Sequence, residues 1–140
     1  MGQFLIIVAA TPFLVFGLGH GLYTLMDLKR PRAFTPPDPA LRQAMQESSV
    51  RFDPTINLWR SWLGFNLSHS LGLVLFGSAF LYIGIFAPHA FVSSLPLQGV
   101  AVLVSAIYLV LSLKFFFSKP VIGSAIGLVC FLVAAALAYA

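Results

Sequence analysis

The chain has 140 residues, of which 59% are hydrophobic and only 9% charged, with a mean hydropathy of +0.95. Soluble domains carry about a quarter charged residues, so a soluble globular fold is excluded and one membrane bundle is the expected organisation. The net charge of +4 does not point to nucleic acid, because the basic residues flank apolar runs instead of forming a patterned basic surface.

Four apolar segments can span a bilayer, at about residues 4–26, 58–86, 97–117 and 119–139. Each approaches or exceeds the roughly 20 residues that a spanning helix needs, and strand-like alternation is absent. The expected fold is therefore all-α: a four-helix polytopic bundle, a single transmembrane domain over residues 1–140. The first segment, MGQFLIIVAATPF, has no Lys or Arg before its apolar run, so it reads as a retained helix and not as an export signal.

Between the first two spans lies a connector of about residues 27–57. PRAFTPPDP is proline-punctuated and expected to be extended. DPALRQAMQESSVRF then opens with Asp38 as N-cap and Pro39 at the first helical position, the pattern of a short interfacial helix. Leu41, Met45 and Phe52 fall opposite Arg42, Gln46 and Glu47 at roughly helical spacing. Asp53-Pro54 repeats the cap-plus-proline signal and is expected to start the second long helix early. Trp59 and Trp62 suit headgroup depth.

The second span contains WRSWLGFNLSHSLG, with Asn66, Ser68, His69 and Ser70 inside an otherwise apolar helix. At 1.5 Å per residue, His69 lies about 15 Å beyond Trp59 along the axis. On the first span His20, Tyr23 or Thr24, and Asp27 share one face by helical spacing, with His20 about 9 Å inside the end at Met26. His20 and Asn66 are thus expected at similar depth and His69 deeper. On the second span Trp62, Asn66, His69 and Ser70 share a stripe. Facing lipid, such groups cost several kcal/mol, so the two stripes should face each other, water or a ligand.

A polar pocket built from His20, Tyr23, Asp27, Trp62, Asn66, His69 and Ser70 is accordingly expected to bind a small ligand or lipid headgroup. The structural alternative is an accessory or scaffold subunit in which the same groups only hydrogen-bond two helices together. A third reading makes His20 and His69 axial ligands of haem b, or, with Asp27, ligands of a metal. No cofactor is otherwise expected. No nucleophile, base and orienting group are legible together, so enzymatic chemistry is not favoured, and transport lacks both a path to the far side and an inverted repeat. His89, in the APHAFVSSLP loop, reads as solvated surface.

The turn SKPVIG, with Ser118 as a possible cap, leads to the fourth span. There Gly123, Gly127, Cys130 and Ala134 form a small-residue stripe open to close helix packing or to a homo-oligomer or larger complex. Cys130, the single cysteine, reads as apolar filler. Lys29, Arg30, Arg32, Arg42, Arg51 and Arg60 fall in or beside the first connection, and Lys114 and Lys119 flank the third. No Lys or Arg remains for the opposite side. The positive-inside rule then puts both connections in the cytoplasm and both termini outside.

GLGHGLYTLMDLKRPRAFTPPDPALRQAM and TINLWRSWLGFNLSHSLG together resemble a family of short bacterial four-span membrane proteins. The match rests on His20, Trp59, Trp62, Gly64, Phe65, Asn66, Ser68, His69 and Gly72 and covers the first half of the chain. It implies the four-span fold and residence in the bacterial inner membrane, and it implies no activity.

Overall fold

The computed structural model describes residues 1–139. It is all-α apart from one small hairpin: α1 (Gly2–Lys29), α2 (Pro39–Glu47), β1 (Ser49–Val50), β2 (Asp53–Asn57), α3 (Leu58–Phe86), α4 (Pro88–Ser93), α5 (Leu95–Phe115) and α6 (Ser118–Ala136). Helices α1, α3, α5 and α6 are each long and apolar enough to cross a membrane. Large side chains such as Phe4, Leu103 and Phe115 stand exposed along them, as lipid-facing residues do. The protein is a multi-pass helical membrane bundle.

The chain forms two compact units, one of Met1–Phe16 with the chain from Leu73 on, the other Gly17–Gly72. The first unit packs around Ile6, Ala9, Phe13, Leu73, Phe80, Phe91 and Phe131. Aromatic contacts dominate it: Phe13 meets Phe76 edge to face at 4.9 Å, and Phe80 meets Phe131 at 5.1 Å, arrangements that ring quadrupoles favour. Gly77 allows a close approach of α1 and α3, because a Cβ there would lie 2.5 Å from the Leu14 backbone nitrogen. Gly123 and Gly127 of the expected stripe are buried, and a Cβ at either would collide with Phe16 or Phe13. That glycine face is therefore filled from within the chain.

The loop after α3 is not wholly irregular, since it forms the short α4, in which His89 is exposed. Buried Gln98 of α5 donates to the carbonyls of Phe91 and Val92 and accepts from the Tyr139 hydroxyl, which ties α4 and the end of the chain to α5. At the other end, α6 begins at Ser118 and is preceded by Phe117, with no side-chain cap. Ser118 is thus the first helical residue and not the cap.

The second unit holds the connector. Asp38 caps α2 as expected, its Oδ1 accepting from Ala40 N at 2.9 Å with Pro39 in the first turn. The helix stops at Glu47, short of Phe52, because Ser48–Asn57 folds into an antiparallel hairpin. Asp53-Pro54 does not start α3. Asp53 instead turns back on the Thr55 amide and hydroxyl at 2.9 and 2.7 Å, the local turn that Asp makes readily. β-branched Thr55 and Ile56 then favour a strand. The start signal used is Asn57, whose Oδ1 accepts from Arg60 N at 2.9 Å, an N-cap bond to the third helical residue.

Candidate functional site

The polar stripes meet within the second unit. Asn66 donates through Nδ2 to the Trp62 carbonyl at 2.7 Å, which turns its Oδ1 toward His20 Nε2 at 2.9 Å. With the amide so fixed, His20 Nε2 carries the proton and donates it. Ser70 donates to the Gly17 carbonyl at 2.6 Å, and Gly21 is required beside it because a Cβ there would strike the Ser70 hydroxyl. Thr24 donates to its own helix at the His20 carbonyl, 2.8 Å.

His69 lies edge to face with His20, ring centroids 5.4 Å apart. The axial estimate put His69 deeper, yet the rings touch. α1 and α3 run in opposite directions here, and side chains lean toward the N-terminus of their own helix. The two imidazoles therefore lean toward each other and close the offset.

Two of the expected residues leave the cluster. Tyr23 is 54% exposed, whereas Thr24 is fully buried, so Thr24 is the residue that faces inward. Asp27 is buried but turns to the connector, its carboxylate accepting from the amides of Arg32, Ala33 and Phe34 and from the Thr35 hydroxyl at 2.6–3.1 Å. It pins the PRAFT segment to the end of α1. Trp62 acts the same way from α3, donating through Nε1 to the Phe34 carbonyl at 3.0 Å. Phe34 in turn packs on His20, ring centroids 4.3 Å apart. Ser68, exposed, bonds back to Phe65 O.

This placement does not fit a bis-histidine haem. The macrocycle would have to pass between two rings in edge-to-face contact, and His20 Nε2 is held by Asn66. Among the described residues, no three His, Cys, Asp or Glu side chains come together as a metal ligand set.

The connector forms what the helix stripes do not: an open cavity of about 800 Å³ lined by Arg32, Arg42, Gln43, Gln46, Thr35 and four prolines, most of them exposed. Its wall is continuous with the cluster, since Ala33 and Thr35, both lining it, flank the Phe34 that rests on His20. Arg42 sits over the Trp59 ring, 5.6 Å from its centroid. Its Nε is the one buried side-chain nitrogen or oxygen without a hydrogen-bond partner among the described residues. Periodicity could not reveal this site, because its walls come from an extended segment and a helix folded onto it. The available signal was the interleaving of proline with arginine and glutamine in RPRAFTPPDPALRQAMQ.

Compared with models of known protein families, with curated proteins and with solved structures, the chain gave no match. The resemblance noted above stands on its quoted residues alone.

Proposed function

We propose that this is a membrane-embedded binding protein that takes a small anionic ligand or lipid headgroup in the connector cavity, on the cytoplasmic face of the inner membrane. The observation that carries the reading is the cavity itself: about 800 Å³, with two arginines and two glutamines among its lining residues and no carboxylate. The orientation, with both termini outside, rests on all eight Lys and Arg residues lying at the first and third connections. His20, Asn66, Ser70 and Thr24 serve as the frame. They satisfy one another or the backbone and fix the helix pair against which Phe34 and the cavity wall are set. Asp27 and Trp62 fasten that wall to the two helices.

The second reading, a scaffold subunit without a ligand, is favoured by how completely Asn66, Ser70 and Asp27 are hydrogen-bonded. Ligand removal separates the two. A ligand bound to the folded state at about 100 times its Kd adds roughly 2.7 kcal/mol. Wild type stripped of bound small molecules by exhaustive detergent exchange should therefore unfold several degrees lower than freshly extracted protein, whereas Arg42→Gln should not change on stripping. Identical melting of stripped and fresh wild type contradicts a bound ligand and leaves the scaffold.

A further inference from the structure

The binding reading leaves the ligand's chemistry open, and the donors at the cavity narrow it. We propose that the cavity recognises a phosphate group, held by the guanidinium groups of Arg32 and Arg42; this rests on the cavity being the binding site.

The four prolines of the wall, Pro31, Pro36, Pro37 and Pro39, offer no backbone N–H. Recognition there falls to side-chain donors. The Thr35 hydroxyl is given to Asp27 and one Gln43 N–H to Glu47, 2.7 Å away. The arginines dominate what is left. None of the four carboxylates neutralises them from inside the cavity: Asp27 holds loop amides, Asp38 caps α2, Asp53 holds Thr55, and Glu47 accepts from Gln43 without lining the cavity.

Arg42, which lines the cavity, keeps an N–H that no described residue accepts. Its guanidinium lies over Trp59, and a contact through the aromatic face consumes none of its five N–H donors. Its Nε–H is buried and unpartnered, a state that is unfavourable for a buried donor. A carboxylate, with two oxygens and one charge, is filled by a single guanidinium fork. A phosphate group presents three or four acceptor oxygens and accommodates two forks at once. The open cavity has room for a phosphate group carried on a larger molecule. An anionic phospholipid headgroup and a soluble phosphorylated metabolite share this chemistry, and the proposed position of the connector at the cytoplasmic membrane surface makes both accessible.

The test follows the ¹⁵N–¹H signal of the arginine Nε groups in full-length protein held in a maltoside detergent, which carries no phosphate. Phosphatidylglycerol, inorganic phosphate and citrate are titrated separately. Phosphatidylglycerol or inorganic phosphate should shift the Arg42 Nε signal saturably. Arg42→Gln, read on the Arg32 Nε signal, and, independently, Arg32→Gln, read on Arg42 Nε, should weaken the apparent affinity by about tenfold or more, and Arg42→Lys nearly as much, since it keeps the charge but loses the fork. Arg51→Gln, at the hairpin turn, should change it less than about twofold. Saturation by phosphatidylglycerol alone identifies a lipid headgroup; saturation by inorganic phosphate identifies a soluble phosphorylated ligand. If citrate alone saturates the site, the phosphate assignment is overturned while the cavity remains a binding site. If no probe moves Arg42, or Arg51→Gln weakens binding as much as Arg42→Gln, the phosphate assignment falls; the stripping experiment then decides whether the cavity binds anything. Arg32→Gln keeps the titration decisive if loss of the Trp59 contact unfolds the Arg42 variants.

Discussion

Asn66 and Asp27 show how differently two buried polar residues can be used. Asn66 joins two helices through the one bond it accepts from His20, while the bond it donates to Trp62 O stays within α3, and interhelical bonds in membranes average only about 0.6 kcal/mol, with a ceiling near 1.7. Asn66→Leu, which keeps the branched shape without the hydrogen bonds, should therefore lower stability by about 1 kcal/mol in detergent unfolding and leave the fold intact. Asp27 is the more costly residue to alter, because four donors converge on its carboxylate and bonds to a charged acceptor are worth about 1.5–3 kcal/mol each. In Asp27→Asn one oxygen becomes an NH₂ facing those donors. A loss of about 2–3 kcal/mol is expected, with faster hydrogen exchange confined first to the amides of residues 32–34. Uniform exchange across the chain would contradict the pinning role.

Within elements, the contact between α1 and α3 rests on Gly21 and Ser70. Gly21→Ala drives a methyl into the Ser70 hydroxyl and should cost about 1–3 kcal/mol. Adding Ser70→Ala removes the obstacle, so the double variant should be less destabilised than the two single losses combined; simple additivity would contradict the contact. The hairpin has its own pH dependence. The Thr55 hydroxyl, and after it the Thr55 amide, hold the Asp53 carboxyl below the usual carboxylate range, with burial opposing them. A depressed value stabilises the fold above the unfolded carboxylate range and loses that contribution as pH falls through the folded value. Acidification should thus release the Thr55 amide to exchange before the amides of α2.

The four long helices, the α2 cap and the meeting of His20 with Asn66 were legible because hydrophobic length, cap chemistry and helical period are local signals. The hairpin was not. Asp53-Pro54 carries the same residues as a helix start, and only the neighbouring β-branched pair and the better cap at Asn57 decide against it. Tyr23 and Thr24 are adjacent on the helix, so period alone could not choose between them. Asp27 shares a helical face with His20, but loop amides that become available only after folding take it over.

For the whole molecule, the proposed function makes the membrane helices a frame and the polar connector the working part. In the proposed orientation every Lys and Arg lies on one side of the bilayer. Moving that charge, for example by adding three lysines to the APHAFVSSLP loop while replacing Lys114 and Lys119 with Gln, should weaken the orientation bias. Cysteine labelling of the two termini would then report mixed topology instead of a single external one.

The most direct measurement is native mass spectrometry in a mild detergent of wild type beside Arg42→Gln, Asn66→Leu and His69→Ala. A discrete added mass is expected on wild type, lost in Arg42→Gln and retained, on a less stable protein, in Asn66→Leu. His69→Ala should retain it also, because His69 belongs to the frame. An added mass that survives Arg42→Gln but disappears with His69→Ala would move the site into the helix pair and contradict the account.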